Sequence, residues 1–230
     1  MDCSLLNIVV CTADNRYSRE GYWNLTDKAN SLYCKKWSYD YKRVNLDGIP
    51  NKHKFPSWLK IQVVRDCVQS EKAYDIVVWL DSDVLMQQHE VSLEEFLTKH
   101  KGHAQYRDSI VVDFISDGDK SSKACAGIFF MWAKHPRALE LLDSWDTYEY
   151  KGLDVLEQAW QSILHRVSGQ YEQRILQCRY WPFKAFMNIV QAPSFIQRSA
   201  NQFFFHCANY YKEQRYSALK EAYDKIFPTK

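Results

Sequence analysis

Two runs of apolar residues predict buried strands in the first third of the chain. One lies within residues 7–12 and the other is residues 76–80, and neither alternates polar with apolar positions. An unbroken run of this length is typical of a strand that helices cover on both faces, as in a parallel sheet. The pattern therefore predicts an α/β fold with a central, mostly parallel sheet.

Periodicity and end signals place the other elements around these strands. Pro56 opens a helix that continues to residue 67, and Ser92 with Glu95 forms a capping box at the start of another. Further helices are predicted over residues 22–37, 136–148, 153–167 and 210–226. Further strands are predicted over residues 38–46, 110–115, 126–132 and 201–206, with a polar loop at residues 117–123.

Length, charge and cysteine content narrow the class of protein. The 230 residues fit one domain without a linker, and a net charge of +2 gives no electrostatic reason to expect a nucleic acid or an anionic membrane as partner. No signal-peptide pattern opens the chain and no segment nears the ~18 apolar residues of a membrane span. Seven cysteines without a CxxC pair indicate reduced core residues. We expect a soluble, cytoplasmic protein.

The motif Asp81-Ser82-Asp83 follows the second apolar run directly. Open α/β sheets bind ligands in the crevice beyond the carboxyl ends of their strands, where these carboxylates are expected. Two adjacent carboxylates can chelate a hard divalent cation such as Mg²⁺ or Mn²⁺, which keeps open positions for phosphate oxygens. The alternative is a solvated turn, because Asp-Ser-Asp is common in loops.

A histidine ends the aromatic segment before the last predicted helix. His206 follows three consecutive phenylalanines. An imidazole that joined the two carboxylates would favour Mn²⁺ over Ca²⁺. Taken alone, a single histidine is more often a core or surface residue than a metal ligand.

Four segments stand in a fixed order along the chain: residues 26–41, residues 58–60 with 78–85, residues 126–131 with 139–145, and residues 205–206. In content and order they resemble the metal-dependent GT-A-type glycosyltransferases. Within these they are most similar to glycosyltransferase family 34, the galactosyl/xylosyltransferases. The likeness reaches from about residue 7 to residue 212.

The resemblance implies a single GT-A domain over residues 1–230, Mn²⁺ (or Mg²⁺), a nucleotide-sugar donor that is most often UDP-linked, and a carbohydrate acceptor. Residues 1–115 would bind the nucleotide, and residues 116–230 would bind the acceptor and complete the metal site. The implied metal ligands are Asp81, Asp83 and His206. The implied nucleotide and sugar contacts are Thr12, Ala13, Asp14, Tyr17, Lys60, Asp81, Ser82, Gly127 and Lys212.

The chain departs from the family pattern near the reacting sugar. It has Leu156-Glu157-Gln158 where the family has Asp-Asp-Gln, and Cys125-Ala126-Gly127 where the family has Asn-Thr-Gly. A retaining enzyme needs no strong protein base, and Gln158 would then stabilise the anomeric region. An inverting enzyme needs a carboxylate to deprotonate the acceptor, and Asp154 and Glu157 are the candidates. The likeness favours retention.

Two other functions also fit the Asp-x-Asp motif. In a phosphatase of the haloacid dehalogenase type, Asp81 would be the nucleophile and Asp83 the general acid/base, with Mg²⁺. A non-catalytic module that binds a carbohydrate or a nucleotide is the second alternative. The sequence leaves the donor sugar, the acceptor and the oligomeric state open.

Overall fold

The structure, a computed structural model, describes residues 6–17, 20–50, 58–99, 110–116, 122–136, 138–146, 187–190, 203–207 and 212–228. The predicted helix at residues 153–167 lies outside this set. The candidate catalytic residues Asp154, Glu157 and Gln158 lie outside it as well.

Helices and strands alternate through the first half of the chain. The helices are α1 (Tyr22–Trp37), α2 (Leu59–Val68), α3 (Leu93–Lys99), α4 (Ala138–Asp146) and α5 (Lys212–Ile226). The strands are β1 (Ile8–Asp14), β2 (Asp40–Asn45), β3 (Ile76–Leu80), β4 (Val84–Met86), β5 (Ile110–Ser116), β6 (Ser122–Trp132), β7 (Met187–Val190) and β8 (Phe204–His206).

Six of these strands form one sheet in the order β2-β1-β3-β6-β5-β7, and β4 pairs with β8 in a second, small sheet. Strand β1 is parallel to both β2 and β3, and β5 is parallel to β7. Strand β6 runs antiparallel between β3 and β5. The predicted α/β fold with a mostly parallel central sheet is confirmed.

The two faces of the sheet explain the unbroken apolar runs. In β1 and β3, Val9 and Val77 pack in one core cluster together with residues of α2 and α4. Their neighbours Val10 and Val78 pack in a second cluster with residues of α1 and α3. Because side chains alternate between faces along a strand, a sheet covered on both sides needs apolar residues at every position.

Several element boundaries differ from the predictions. Helix α1 ends at Trp37 because Ser38 adopts a left-handed conformation (φ 60°), so β2 begins only at Asp40. Strand β6 begins at Ser122, so the predicted polar loop at residues 117–123 is wrong for its last two residues. Strand β7 was not predicted. The cap of α3 is confirmed, since Glu95 N donates to Ser92 Oγ at 3.0 Å.

A third core cluster joins the start and the end of the described chain. Leu219 of α5 packs in it with Ala29 of α1, Leu85 of β4 and Phe205 of β8. Of the described cysteines, Cys11, Cys34, Cys67 and Cys207 are buried in the core and form no disulfide bond. Among the residues that the structure describes, no helix has the length and apolar character needed to cross a membrane.

Candidate functional site

Strand directions bring the predicted site residues to one edge of the large sheet. Since β1 and β3 are parallel neighbours, Asp14 and Asp81 emerge at the same edge. Strand β6 is antiparallel to β3 and pairs Ile128 with Leu80, so Gly127 lies beside Asp81. The backbone N–H of Asp81 donates to the carbonyl of Gly127 at 2.8 Å.

The small sheet brings His206 to the same place from the far end of the chain. Strands β4 and β8 pair Val84 with His206, and Cys207 N donates to the carbonyl of Asp83 at 3.2 Å. The pairing register alone therefore sets the imidazole beside the second carboxylate of the motif. The expectation that folding unites Asp81, Asp83 and His206 agrees with the structure.

These three side chains form a group that can hold a metal ion. One potential ligand atom of each lies within 4.8 Å of the others, and Nε2 of His206 lies 3.4 Å from Oδ1 of Asp83. Asp83 and His206 are buried, at 8% and 7% exposure. Two carboxylates and one imidazole suit Mn²⁺, and a site with three protein ligands leaves positions for other oxygen atoms.

Gly127 leaves the space that this group occupies. A Cβ atom at this position would lie 2.5 Å from Cε1 and 3.0 Å from Nε2 of His206, and 3.1 Å from Oδ2 of Asp81. Any larger residue would displace the imidazole of His206 or the carboxylate of Asp81. The three candidate ligands, together with the space that glycine leaves beside them, fit a divalent cation.

Asp81 is fixed through one of its two oxygen atoms. Oδ1 accepts hydrogen bonds from Nε1 of Trp79 at 2.7 Å and from Nζ of Lys60 at 3.0 Å. Lys60 lies in α2 and is only 2% exposed. The other oxygen, Oδ2, faces the position beside Gly127 and is the one available to a metal.

Asp83 lies between the imidazole of His206 and the guanidinium of Arg215. Its Oδ2 lies 3.4 Å from Nη1 of Arg215 in α5, on the side away from His206. Burial raises the pKa of Asp83, but the charges of His206 and Arg215 outweigh burial and lower the pKa to about 2. The carboxylate is therefore ionised at neutral pH, as a metal ligand must be.

Helix α1 holds the Asp81-Ser82-Asp83 turn in place through side-chain hydrogen bonds. Thr26 Oγ1 donates to the carbonyl of Ser82 at 2.7 Å. The amide of Asn30 donates to Val84 O at 2.9 Å and accepts from Met86 N at 2.9 Å. Both side chains are 2% exposed, so these buried bonds fix the turn against a rigid helix.

Asp14 and Arg16 form a closed ion pair at the end of β1. Oδ1 of Asp14 accepts from the backbone N (2.8 Å) and Nε (2.7 Å) of Arg16, and Oδ2 bonds Nη2 of Arg16 and Oγ of Ser82, the latter at 2.5 Å. Burial lowers the pKa of Arg16, but interactions with Asp14 and Tyr22 together outweigh burial and raise the pKa. The guanidinium also lies 4.6 Å from the Trp23 ring centroid.

A pocket of about 220 Å³ opens in front of these groups. Of the predicted site residues, Ala13, Asp14, Lys60, Asp81, Ser82 and Asp83 line it. Residues that the sequence reasoning missed also line it: Asn15, Arg16, Tyr22, Leu46, Trp79 and Arg215. The pocket continues past the end of the first strand, where a nucleobase is expected.

Of the other predicted contacts, three do not line this pocket and the fourth has no described side chain. Thr12 is buried, and its Oγ1 lies 3.5 Å from the hydroxyl of Tyr17. Tyr17 packs under Arg43, whose guanidinium lies 4.6 Å from the ring centroid, and burial raises the pKa of Tyr17. Gly127 lies beside the metal group. Lys212 begins α5, and its side chain is outside the described set.

Signals for two of the missed residues were present in the sequence. Arg16 stands two residues after Asp14, the spacing at which an aspartate accepts from a following backbone N–H. Arg215 stands three residues after Lys212 on one predicted helix, so the two share roughly one face. Neither signal identifies the partner across the fold, which depends on the tertiary structure.

Known proteins resemble this chain in structure but not in sequence. No protein-family model matches the chain, and no curated protein matches its sequence. A solved glycosyltransferase involved in the glycosylation of the major capsid of PBCV-1 superposes with a TM-score of 0.64 at 12% identity, over 94% of this chain and 99% of that chain. The chain has the GT-A fold.

A second solved structure supports the same fold. It is the catalytic domain of Drosophila beta1,4-galactosyltransferase 7 in complex with xylobiose, with a TM-score of 0.51 and 12% identity over 98% of this chain and 82% of that chain. The GT-A fold implied by the resemblance is thus confirmed. The nearer likeness to glycosyltransferase family 34 stays a prediction.

Proposed function

We propose that this GT-A chain is a glycosyltransferase that moves a hexose, pentose or deoxyhexose from a nucleotide-diphosphate sugar to a carbohydrate hydroxyl. The observation that carries the proposal is the group of Asp81, Asp83 and His206 at the edge of a pocket in a GT-A fold. The two similar structures are glycosyltransferases by name, which supports the same class. In its most specific form, the proposal names a UDP-linked donor and Mn²⁺ as the cation.

Asp81, Asp83 and His206 would hold the cation, and a bound cation supplies positive charge that stabilises the diphosphate as it leaves the sugar. Ser82 would face the ribose or the sugar, and Ala13 and Asp14 would lie along the base and ribose. Thr12 and Tyr17 would support that wall of the pocket. Lys60 and Lys212 are the proposed contacts to the diphosphate.

The two halves of the chain would divide this work. Residues 1–115 would supply the nucleotide pocket, and residues 116–230 would supply the imidazole and the acceptor side. Within the second half, Gln158 would stabilise the anomeric region of a retaining reaction. For inversion, Asp154 or Glu157 would deprotonate the acceptor hydroxyl.

A phosphatase using Asp81 as nucleophile is less well supported by these contacts. Oδ1 of Asp81 is engaged by Trp79 and Lys60, and Oδ2 faces the imidazole of His206. The GT-A fold also favours a sugar-nucleotide ligand. A non-catalytic sugar-nucleotide module would share all of these contacts, and a turnover assay separates it from an enzyme.

The test is calorimetric titration of UDP in the presence of Mn²⁺ with Asp83→Ala, His206→Ala and a matched control. Asp83→Ala should abolish metal-dependent UDP binding, and His206→Ala should weaken it. The control is Asp224→Ala, which removes an exposed carboxylate of α5 that pairs with Lys220 on the same helix. Unchanged affinity in Asp83→Ala would remove the proposed metal site.

Turnover and stereochemistry need a second experiment. Mn²⁺-dependent hydrolysis of a UDP-sugar to UDP supports a transferase, whereas phosphate release from a generic phosphomonoester supports the phosphatase. Product NMR with the matched donor gives the anomeric configuration. Binding of the sugar nucleotide without turnover would favour the non-catalytic module.

A further inference from the structure

Each carboxylate of the Asp81-Ser82-Asp83 motif is already paired with a cation from a different helix. Nζ of Lys60 in α2 lies 3.0 Å from Oδ1 of Asp81, and Nη1 of Arg215 in α5 lies 3.4 Å from Oδ2 of Asp83. The Lys60 side chain is 3% exposed and that of Arg215 is 23% exposed. Their partners Asp81 and Asp83 are 34% and 11% exposed, so water screens both pairs in part.

The paired oxygens are different atoms from those that face the imidazole. In Asp81, Oδ1 bonds Lys60 while Oδ2 faces the position beside Gly127 and His206. In Asp83, Oδ2 meets Arg215 while Oδ1 lies 3.4 Å from Nε2 of His206. Each carboxylate thus has a metal side and a cation side, so both cations can keep their places when a metal ion binds.

Positive and negative side chains are equal in number among the described residues that line the pocket. The carboxylates are Asp14, Asp81 and Asp83, and the cations are Arg16, Lys60 and Arg215, three of each sign. Asp14 and Arg16 form their own ion pair. A divalent cation that enters alone therefore meets an acidic pair whose negative charge is already offset.

We propose that Lys60 and Arg215 make the divalent cation and the diphosphate bind as a coupled pair. The two side chains repel the cation when it comes alone, and they attract the diphosphate that comes with it. The inference rests on the proposed function, and it names the two residues that cause the cation and the diphosphate to bind together. Because coupling is reciprocal, each ligand should raise the affinity for the other by the same factor.

The test measures Mn²⁺ binding twice, without nucleotide and with saturating UDP, by calorimetry and by the electron paramagnetic resonance signal of free Mn²⁺. The variants are Lys60→Met, which keeps the length of the side chain without its charge, and Arg215→Met. Lys72→Met is the control, because Lys72 is paired with Asp40 at the opposite ends of the strands.

The affinity for Mn²⁺ alone and the affinity for UDP in the presence of Mn²⁺ should change in opposite directions. Removing one positive charge a few ångströms from a divalent ion should tighten Mn²⁺ binding without nucleotide by about tenfold or more. The same substitution should weaken UDP binding in the presence of Mn²⁺ and reduce the coupling factor. Lys60→Arg, which keeps the charge, should restore weak binding of Mn²⁺ alone. Lys72→Met should change neither affinity.

A purely structural role for Lys60 gives another pattern. If the lysine only orients Asp81, Lys60→Met weakens Mn²⁺ binding in both measurements, and that result overturns the proposal. Arg215→Met repeats the test at a more exposed position, where loss of folding is a smaller risk. If both variants bind UDP and their affinity for Mn²⁺ alone is unchanged, the proposed coupling is overturned while the proposed function stands. Failure of UDP to bind the wild-type protein would overturn both.

Discussion

Replacing Gly127 by alanine tests whether the room beside His206 serves the metal group. The added Cβ would lie 2.5 Å from Cε1 of His206 and 3.1 Å from Oδ2 of Asp81, closer than atoms can approach without a shift. His206 is 7% exposed and its strand is paired with β4, so it cannot move into solvent without breaking that pairing. The strain must therefore displace the imidazole or the carboxylate.

The expected magnitude follows from overpacking and from the loss of ligand geometry. Extra carbon atoms in a packed interior cost about 1–3 kcal/mol, which for a chain of this size lowers the Tm by about 2–12 °C. Displacing one ligand should also weaken Mn²⁺ binding about 10–100-fold. The assays are urea unfolding without metal and calorimetric titration of Mn²⁺ in the presence of UDP.

Gly48→Ala is the matched control. Gly48 has a φ of 76°, and an added Cβ would meet no atom within 4 Å. Alanine there should cost about 1–2 kcal/mol through backbone strain alone, with no change in metal affinity. A Gly127→Ala protein that binds Mn²⁺ and UDP like the wild type would refute the reasoning.

Three further substitutions make separate predictions. Asn30→Ala removes both buried bonds between α1 and β4 and should lower the free energy of unfolding by about 2–4 kcal/mol in urea titrations. The low pKa of Asp83 stabilises the metal-free fold above pH 4, and this stabilisation is lost as the pH falls through about 2. In acid titrations the free energy of unfolding should therefore fall by about 2 kcal/mol more in the wild type than in Asp83→Asn. An equal fall in both proteins would contradict the ion pairs of Asp83. Glu157→Gln should reduce turnover strongly if the enzyme inverts and little if it retains, and lost activity with a retained anomeric configuration would contradict both mechanisms.

The sheet and the carboxylates of the site could be predicted because their signals are local. The run at residues 76–80 predicts a strand covered on both faces, and Asp81 and Asp83 follow it directly. Chain direction then places both carboxylates at the ligand edge of the sheet. His206 carried no such local signal, and its role came from the resemblance.

The contacts across the fold could not be predicted in the same way. The hydrogen bond between Lys60 and Asp81 could not be predicted, because no helical pattern reveals that this lysine is buried. Arg215 looks like a surface residue of a charged helix until α5 packs against α1. Strand β7 has only four residues and gains its stability from pairing with β5.

The pairing of β4 with β8 has a consequence for synthesis of the protein on the ribosome. The two carboxylates leave the ribosome long before the imidazole does, since His206 is brought to them only by β8. No cation or donor can therefore stabilise a partly made chain through the complete site, and ligand binding can favour folding only after β8 has emerged. The first strands must therefore reach their arrangement without help from a bound ligand.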